Sequence, residues 1–192
     1  MAVVARDLRT DLLTAAAALV ERTGSVDAVT LRGVAREAGV SAPAVYGHFA
    51  DLGALLDAVV EGAFADLVAA VGAAADGVPD PVERLLAGCR AYVRYGLSAP
   101  ARYRAMFGSR QVPAGAAAFD TLVHAVEACV RSGASASADP RADARLVWTA
   151  LHGLVTPWTG WTDRPGPDLD AEVAALVTRL ALLDPPVSGR SA

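Results

Sequence analysis

Apolar residues recur along this chain at steps of three and four, the period of helices, and no stretch of alternating β-branched residues reads as a strand. From about Arg6 to Thr23, Leu8, Leu12, Ala15, Ala16 and Leu19 line one face, and Gly24 ends the helix. The stretch TLRGVAREAGVSAPAVYGHF, from Thr30 to Phe49, holds two more helices. Thr30 is a hydroxyl N-cap before a helix over about Leu31–Ala38, in which Leu31, Val34 and Ala38 share a face. Gly39 stops that helix, since glycine takes a left-handed C-terminal conformation without penalty, and Ser41 is placed to cap the next. There Val45 and Phe49 fall four apart and turn inward, leaving Ser41, Ala44, Tyr46, Gly47 and His48 for the surface. The inward set of the three helices, Leu12, Leu19, Leu31, Val34, Val40, Val45 and Phe49, is enough for a compact core.

Asp51 then caps a long helix running to about Asp76, with Leu55, Leu56, Val59, Phe64, Leu67, Val68 and Val71 as its apolar positions. The stretch DGVPDP breaks the chain after it. Further helices are predicted over about 81–98, the short segment ARYRAMFG, 116–131, 141–155 and 169–183. SRQVPAG reads as a connector and SGASASAD as a flexible loop. TPWTGWTDRPGPD interrupts the pattern with Pro157, Gly160, Pro165, Gly166 and Pro167. The predicted fold is all-α with about nine helices. Residues 1–50 form a three-helix helix-turn-helix domain, and 51–185 form a helical domain whose first part, 51–76, is a connecting helix. Residues 186–192 form a flexible tail.

Composition changes this picture little. The apolar fraction is 54% and mean hydropathy +0.36, but charges break every apolar run before the length of about 18 that a membrane span needs. The first residues, MAVVARDLRT, contain no secretory core, and Cys89 and Cys129 do not make a disulfide framework, so a reducing cytoplasm is expected. All 17 basic residues are arginine and the net charge is −4. Residues 1–50 hold five arginines and five acidic residues, so a positive face there must come from how the charges are distributed. An enzyme is not expected. His124 and Cys129, five apart, splay around a helix, and no HExxH, CxxC, GxSxG or glycine-rich phosphate loop is present. No metal or cofactor is expected either.

The residues Ala35, Ala38-Gly39-Val40-Ser41, Val45-Tyr46 and His48-Phe49, followed by Leu55, resemble the DNA-binding signature of the TetR family of bacterial transcriptional regulators, over about Leu8 to Leu56. The resemblance implies a homodimer that places two recognition helices in successive major grooves of a near-palindromic double-stranded operator. Residue by residue, it implies phosphate contacts from Tyr46 and His48, an anchor from Thr30 and Arg32, and a groove-facing set of Ser41, Pro43, Ala44 and Gly47. That set has no Arg, Asn or Gln for bidentate base contacts. Pro43 and Ala44 are therefore expected to meet thymine methyls, with Arg32 or Arg36 supplying a polar base contact and DNA shape carrying part of the specificity. The family often has a lysine where this chain has Leu52, which removes one phosphate contact; Arg6 and Arg9 are candidates to compensate.

Trp148, His152 and Gly153, with the upstream RYRAMFG, resemble the C-terminal domain of a TetR-like subgroup named for its Trp, His and Gly. The resemblance implies a repressor released by a small-molecule effector held in the second domain. The candidate ligand-binding residues are Tyr92, Tyr103, Met106, Phe107, Trp148 and His152, with Tyr95, Phe119, His124, Trp158 and Trp161 also in this half. Few charges lie on these faces, which favours a neutral or weakly polar, planar or lipophilic effector. It also implies dimerisation through the last two helices, with Leu146, Leu151, Leu176, Val177 and Leu180 shared between the dimer face and the subunit's own core. The rival to this reading is a helical small-molecule-binding or interaction protein whose DNA reader has degenerated.

Overall fold

A computed structural model describes residues 7–110, 112–158 and 168–184 of the chain. Among the described residues it contains nine α-helices, one 3₁₀ turn and no strand: α1 (Leu8–Thr23), α2 (Leu31–Glu37), α3 (Ala42–Tyr46), α4 (Leu52–Ala75), α5 (Pro81–Ser98), α6 (Pro100–Met106), α7 (Pro113–Arg131), α8 (Pro140–Trp158) and α9 (Leu169–Leu180). Arg6, Trp161, the side chain of Trp158, the breaker segment beyond it and the expected tail at 186–192 lie outside the described residues. The described residues fall into two compact units. One comprises those up to Asp66 together with Ala99–Gly115, and the other comprises Leu67–Ser98 and those from Ala116 onward.

In the first unit Thr30 and Gly39 act as the sequence predicts, and Asp7 adds a cap that the sequence reading did not name. Asp7 caps α1 by accepting from the Arg9 N–H at 3.1 Å. Thr30 caps α2, its Oγ1 accepting from the Gly33 N–H at 3.1 Å. The helix ends in a Schellman motif, with the Val40 N–H donating to the Ala35 carbonyl (2.9 Å) and the Gly39 N–H to that of Arg36 (3.2 Å). Gly39 sits at φ +71°, where a Cβ is strained. Leu12, Leu19, Val34, Val45 and Phe49 are buried, while Leu31 and Val40 are only half-buried. Ala15, Ala16, Val20, Val29 and Ala35 complete the core. Thr30→Ala is expected to cost about 1 kcal/mol through the orphaned Gly33 N–H, read as a lower thermal midpoint that Thr30→Ser restores.

The segment after α5 belongs to this first unit and is tied there by arginines. The Arg102 backbone N–H donates to Glu21 Oε1 (3.1 Å) and its Nη1 to Asp66 (3.3 Å); Arg104 Nη2 donates to the Gly24 carbonyl (3.3 Å). Arg110 donates to the Gly53 carbonyl (3.3 Å) and pairs with Asp57. Tyr103 and Phe107 stack at 4.8 Å between ring centroids, and Phe107 meets Phe64 edge-on at 5.7 Å.

The second unit packs α5, α8 and α9 against one another. Three boundaries among the later helices differ from the sequence reading. Helix α7 begins at Pro113, inside the expected connector, because proline is suited to a helix's first turn. Helix α8 continues to Trp158, past Pro157. A proline that late in a helix forfeits one intrahelical bond, which the final turn tolerates. Helix α9 stops at Leu180, three residues early, and Leu182 turns to φ +49°. The expected flexible loop SGASASAD captures that end. Ser135 Oγ donates to the Ala181 carbonyl (2.7 Å), the Ala136 N–H to that of Leu182 (3.0 Å) and the Asp184 N–H to that of Ala134 (3.1 Å). Ser135 and Ser137 are buried, and the Ser137 hydroxyl donates to Asp143.

Candidate nucleic-acid interface and cavity

Helix α3 is one and a half turns long, and its periodicity divides it cleanly. Val45 and Phe49 go into the core, while Ser41, Pro43, Tyr46, Gly47 and His48 are exposed and Ala44 is half-buried. Tyr46 is 60% exposed, unusual for a large aromatic side chain that has a core within reach. Thr30 and Arg32, also exposed, stand at the start of α2. The structure therefore places the eight residues expected to meet DNA on two short helices of one unit and on the residues that flank them. Ser41 holds the N-cap position of α3 with extended backbone, but its side chain makes no capping hydrogen bond.

Charge on this unit is partly committed. Arg22 of α1 grips Glu37 at the end of α2 with two bonds, at 2.7 and 3.2 Å. The hydrogen bond from Arg22 holds the Glu37 carboxyl below, and that to Glu37 holds the Arg22 guanidinium above, its ordinary range. Both groups are exposed, so the pair contributes orientation more than stability. Arg9 stacks over the Phe49 ring at 5.2 Å. Arg32 makes no ion pair among the described residues, which leaves its cation at the surface beside α3.

The second unit contains a cavity of about 370 Å³, between the last turns of α4 and helices α5, α7 and α8. Its wall is formed by Leu67, Val71, Leu85, Gly88, Cys89, Tyr92, Ala118, Trp148 and Leu151, among others. Trp148 lies 5.8 Å from Tyr92 and 5.3 Å from Phe119 between ring centroids, so two of the expected ligand-binding residues share one aromatic cluster. His152, also expected, is half-buried on the same helix outside the lining, and burial lowers its pKa. Tyr103, Met106 and Phe107 pack within the first unit. The sequence reading did not single out the end of α4, Arg84 or Arg131 as lining, and no pattern in the sequence sets them apart.

Burial pushes the Cys89 thiol up to about 12, which keeps it protonated and a poor nucleophile. Among the described residues no group of three His, Cys, Asp or Glu side chains is placed to hold a metal ion, and no helix is long and apolar enough to cross a membrane. On α8 and α9, Leu151 and Val177 face their own subunit, Leu176 and Leu180 are half-buried, and Leu146 is 52% exposed.

Comparison with known proteins matches residues 12–59 to the bacterial regulatory proteins of the tetR family, and residues 85–180 to the tetracyclin repressor-like C-terminal domain. Among curated proteins none matches. A Rhodococcus sp. RHA1 protein of unknown function has a structure with TM-score 0.80 and 32% identity, covering 91% of this chain and 94% of its own. A TetR family transcription regulator from Marinobacter aquaeolei VT8 gives TM-score 0.73 at 19% identity over 93% and 96% of the two chains. RolR in complex with resorcinol gives 0.66 at 22% identity over 90% and 86%.

Proposed function

The chain belongs to the TetR family of DNA-binding transcription regulators, and from that premise we propose that it is a homodimeric repressor, released from a near-palindromic operator when a small effector fills its cavity. The observation that carries this reading is the continuity of α4. One end buries Leu55 and Leu56 in the core of the unit that holds α3; the other supplies Leu67, Val68, Val71, Gly72 and Ala75 to the cavity wall. An occupant that favours one position of the wall shifts the population of states available to the whole helix.

In the bound state Tyr46 and His48 contact phosphates, Thr30 and Arg32 anchor the start of α2, and Ser41, Pro43, Ala44 and Gly47 face the groove. Phosphate contacts set the register, and the small groove-facing residues read methyl groups and shape. Two copies join through α8 and α9, on which Leu146 is left for the partner. The cavity is lined by Tyr92 and Trp148 and is at the small end of the range for ligand pockets, about 300–1,000 Å³. RolR, with its resorcinol, shows that a chain of this fold holds a small aromatic molecule.

The test is selection of bound sequences from a random duplex pool at near-physiological salt, repeated with a library of small aromatic and lipophilic compounds. Enrichment of one near-palindrome, lost with a particular compound, is the expected result. Enrichment that no compound abolishes would remove the effector from the account. No enrichment at any salt would favour the degenerate-reader rival.

A further inference from the structure

The polar residues of the cavity are not distributed like its apolar ones. Leu67, Leu85, Cys89, Tyr92, Ala118 and Leu151 are buried and make the interior, whereas Arg84, Thr121, His124 and Arg131 are exposed and make the rim. The lining holds two arginines and no aspartate or glutamate. We propose that the occupant of this cavity is an anionic amphiphile: an apolar body of up to about fifteen non-hydrogen atoms inside, and one carboxylate at the rim against Arg84 and Arg131. This inference rests on the effector reading of the same cavity and names its ligand class.

The size follows from volume. A dry cavity of about 150 Å³ holds benzene with its six carbons, so 370 Å³ holds about fifteen non-hydrogen atoms. The charge follows from what surrounds the two guanidiniums. Arg84, in the first turn of α5, spends one donor on the Pro79 carbonyl (2.9 Å) and keeps others. Arg131, at the end of α7, pairs among the described residues with Glu127 at 3.7 Å on its own helix, a loose pair that an incoming carboxylate can replace. Asp80, the carboxylate next to this helix start, is turned to cap α5 by accepting from the Glu83 N–H at 2.8 Å. A carboxylate at the rim thus gains charge-assisted hydrogen bonds, an alcohol of equal body gains only the burial, and an ammonium meets two like charges with no lining anion to hold it. A neutral effector, favoured from helix faces taken singly, leaves both arginines without a role.

The experiment titrates the purified full chain with decanoate, decan-1-ol and decylamine below their aggregation concentrations, followed by calorimetry and tryptophan fluorescence. Decanoate is expected to bind about tenfold or more tighter than decanol, with decylamine weakest. The double variant Arg84→Gln/Arg131→Gln, at two exposed positions, is expected to bring decanoate to within about twofold of decanol and to leave decanol unchanged. Decanol binding as tightly as decanoate, or a preference that survives the double variant, would overturn the anionic class while the cavity remained an effector site. Binding of none of the three would overturn the effector reading with it.

Discussion

Phe49→Ala is expected to destabilise the unit that reads DNA by about 3–5 kcal/mol, the range for removing a well-packed phenylalanine. Phe49 is 5% exposed and closes the core that Leu12, Val34 and Val45 build, and its backbone N–H donates to the Val45 carbonyl at 3.0 Å. The ring also carries the Arg9 guanidinium at 5.2 Å, a contact worth about 0.5–1 kcal/mol at an exposed site. A small domain has only about 5–15 kcal/mol of total stability, so the loss takes a large share of it. Thermal and denaturant unfolding should show the earliest transition shifted down by roughly 15 °C or more. Phe49→Leu, which keeps most of the volume, should cost only about 1 kcal/mol. Equal midpoints for the wild type and Phe49→Ala would show that α3 is held by something other than this core.

That prediction could be drawn from the sequence almost unaided, because the helix-turn-helix is specified locally. Thr30 and Gly39 each act through neighbours within five residues, and the four-residue spacing of Val45 and Phe49 fixes which face of α3 turns inward. What was less legible depends on partners distant in sequence. PAG in the expected connector reads as a loop, yet Gly115 is inside α7, and a Cβ there would lie 3.2 Å from the Phe64 ring. The glycine permits a close approach, a purpose invisible without Phe64. The serines of SGASASAD read as solvated, but two are buried, Ser135 because the chain returning from α9 presents the Ala181 carbonyl to it and Ser137 because its hydroxyl donates to Asp143 of α8.

The candidate site divides in the same way. The eight positions expected to face DNA came from one continuous stretch, Thr30 to His48, and belong to one unit. The ligand-facing set came from aromatic residues scattered over three helices, and of these Tyr92 and Trp148 reach the cavity while Tyr103 and Phe107 stack on Phe64 and each other in the first unit. The rim arginines carried no signal at all. On isolated helices Arg84 and Arg131 are ordinary solvated ends, and only the packing of α5 and α7 about one space brings both to the lining of one cavity.

Tyr46→Ala and Arg32→Ala are each expected to weaken operator binding about 100-fold while leaving the fold intact. Tyr46 is 60% exposed and Arg32 is exposed, so neither substitution opens a cavity. A hydrogen bond to a charged group is worth about 1.5–3 kcal/mol, and a two-fold dimer loses it twice, so about 3 kcal/mol disappears from the complex. The two variants should differ in how salt acts on what remains. Arg32→Ala removes a cation from each half-site and should flatten the dependence of log K on log salt by about two; Tyr46→Ala removes neutral donors and should leave that slope unchanged. Fluorescence anisotropy on the selected near-palindrome, across a series of salt concentrations, measures both quantities. The slope counts the phosphates that cations neutralise, and residues 1–50 hold five arginines of which Arg22 is committed to Glu37, so losing Arg32 should remove a visible fraction of it. Normal binding by both variants, with circular dichroism unchanged, would place the recognition surface elsewhere on the chain.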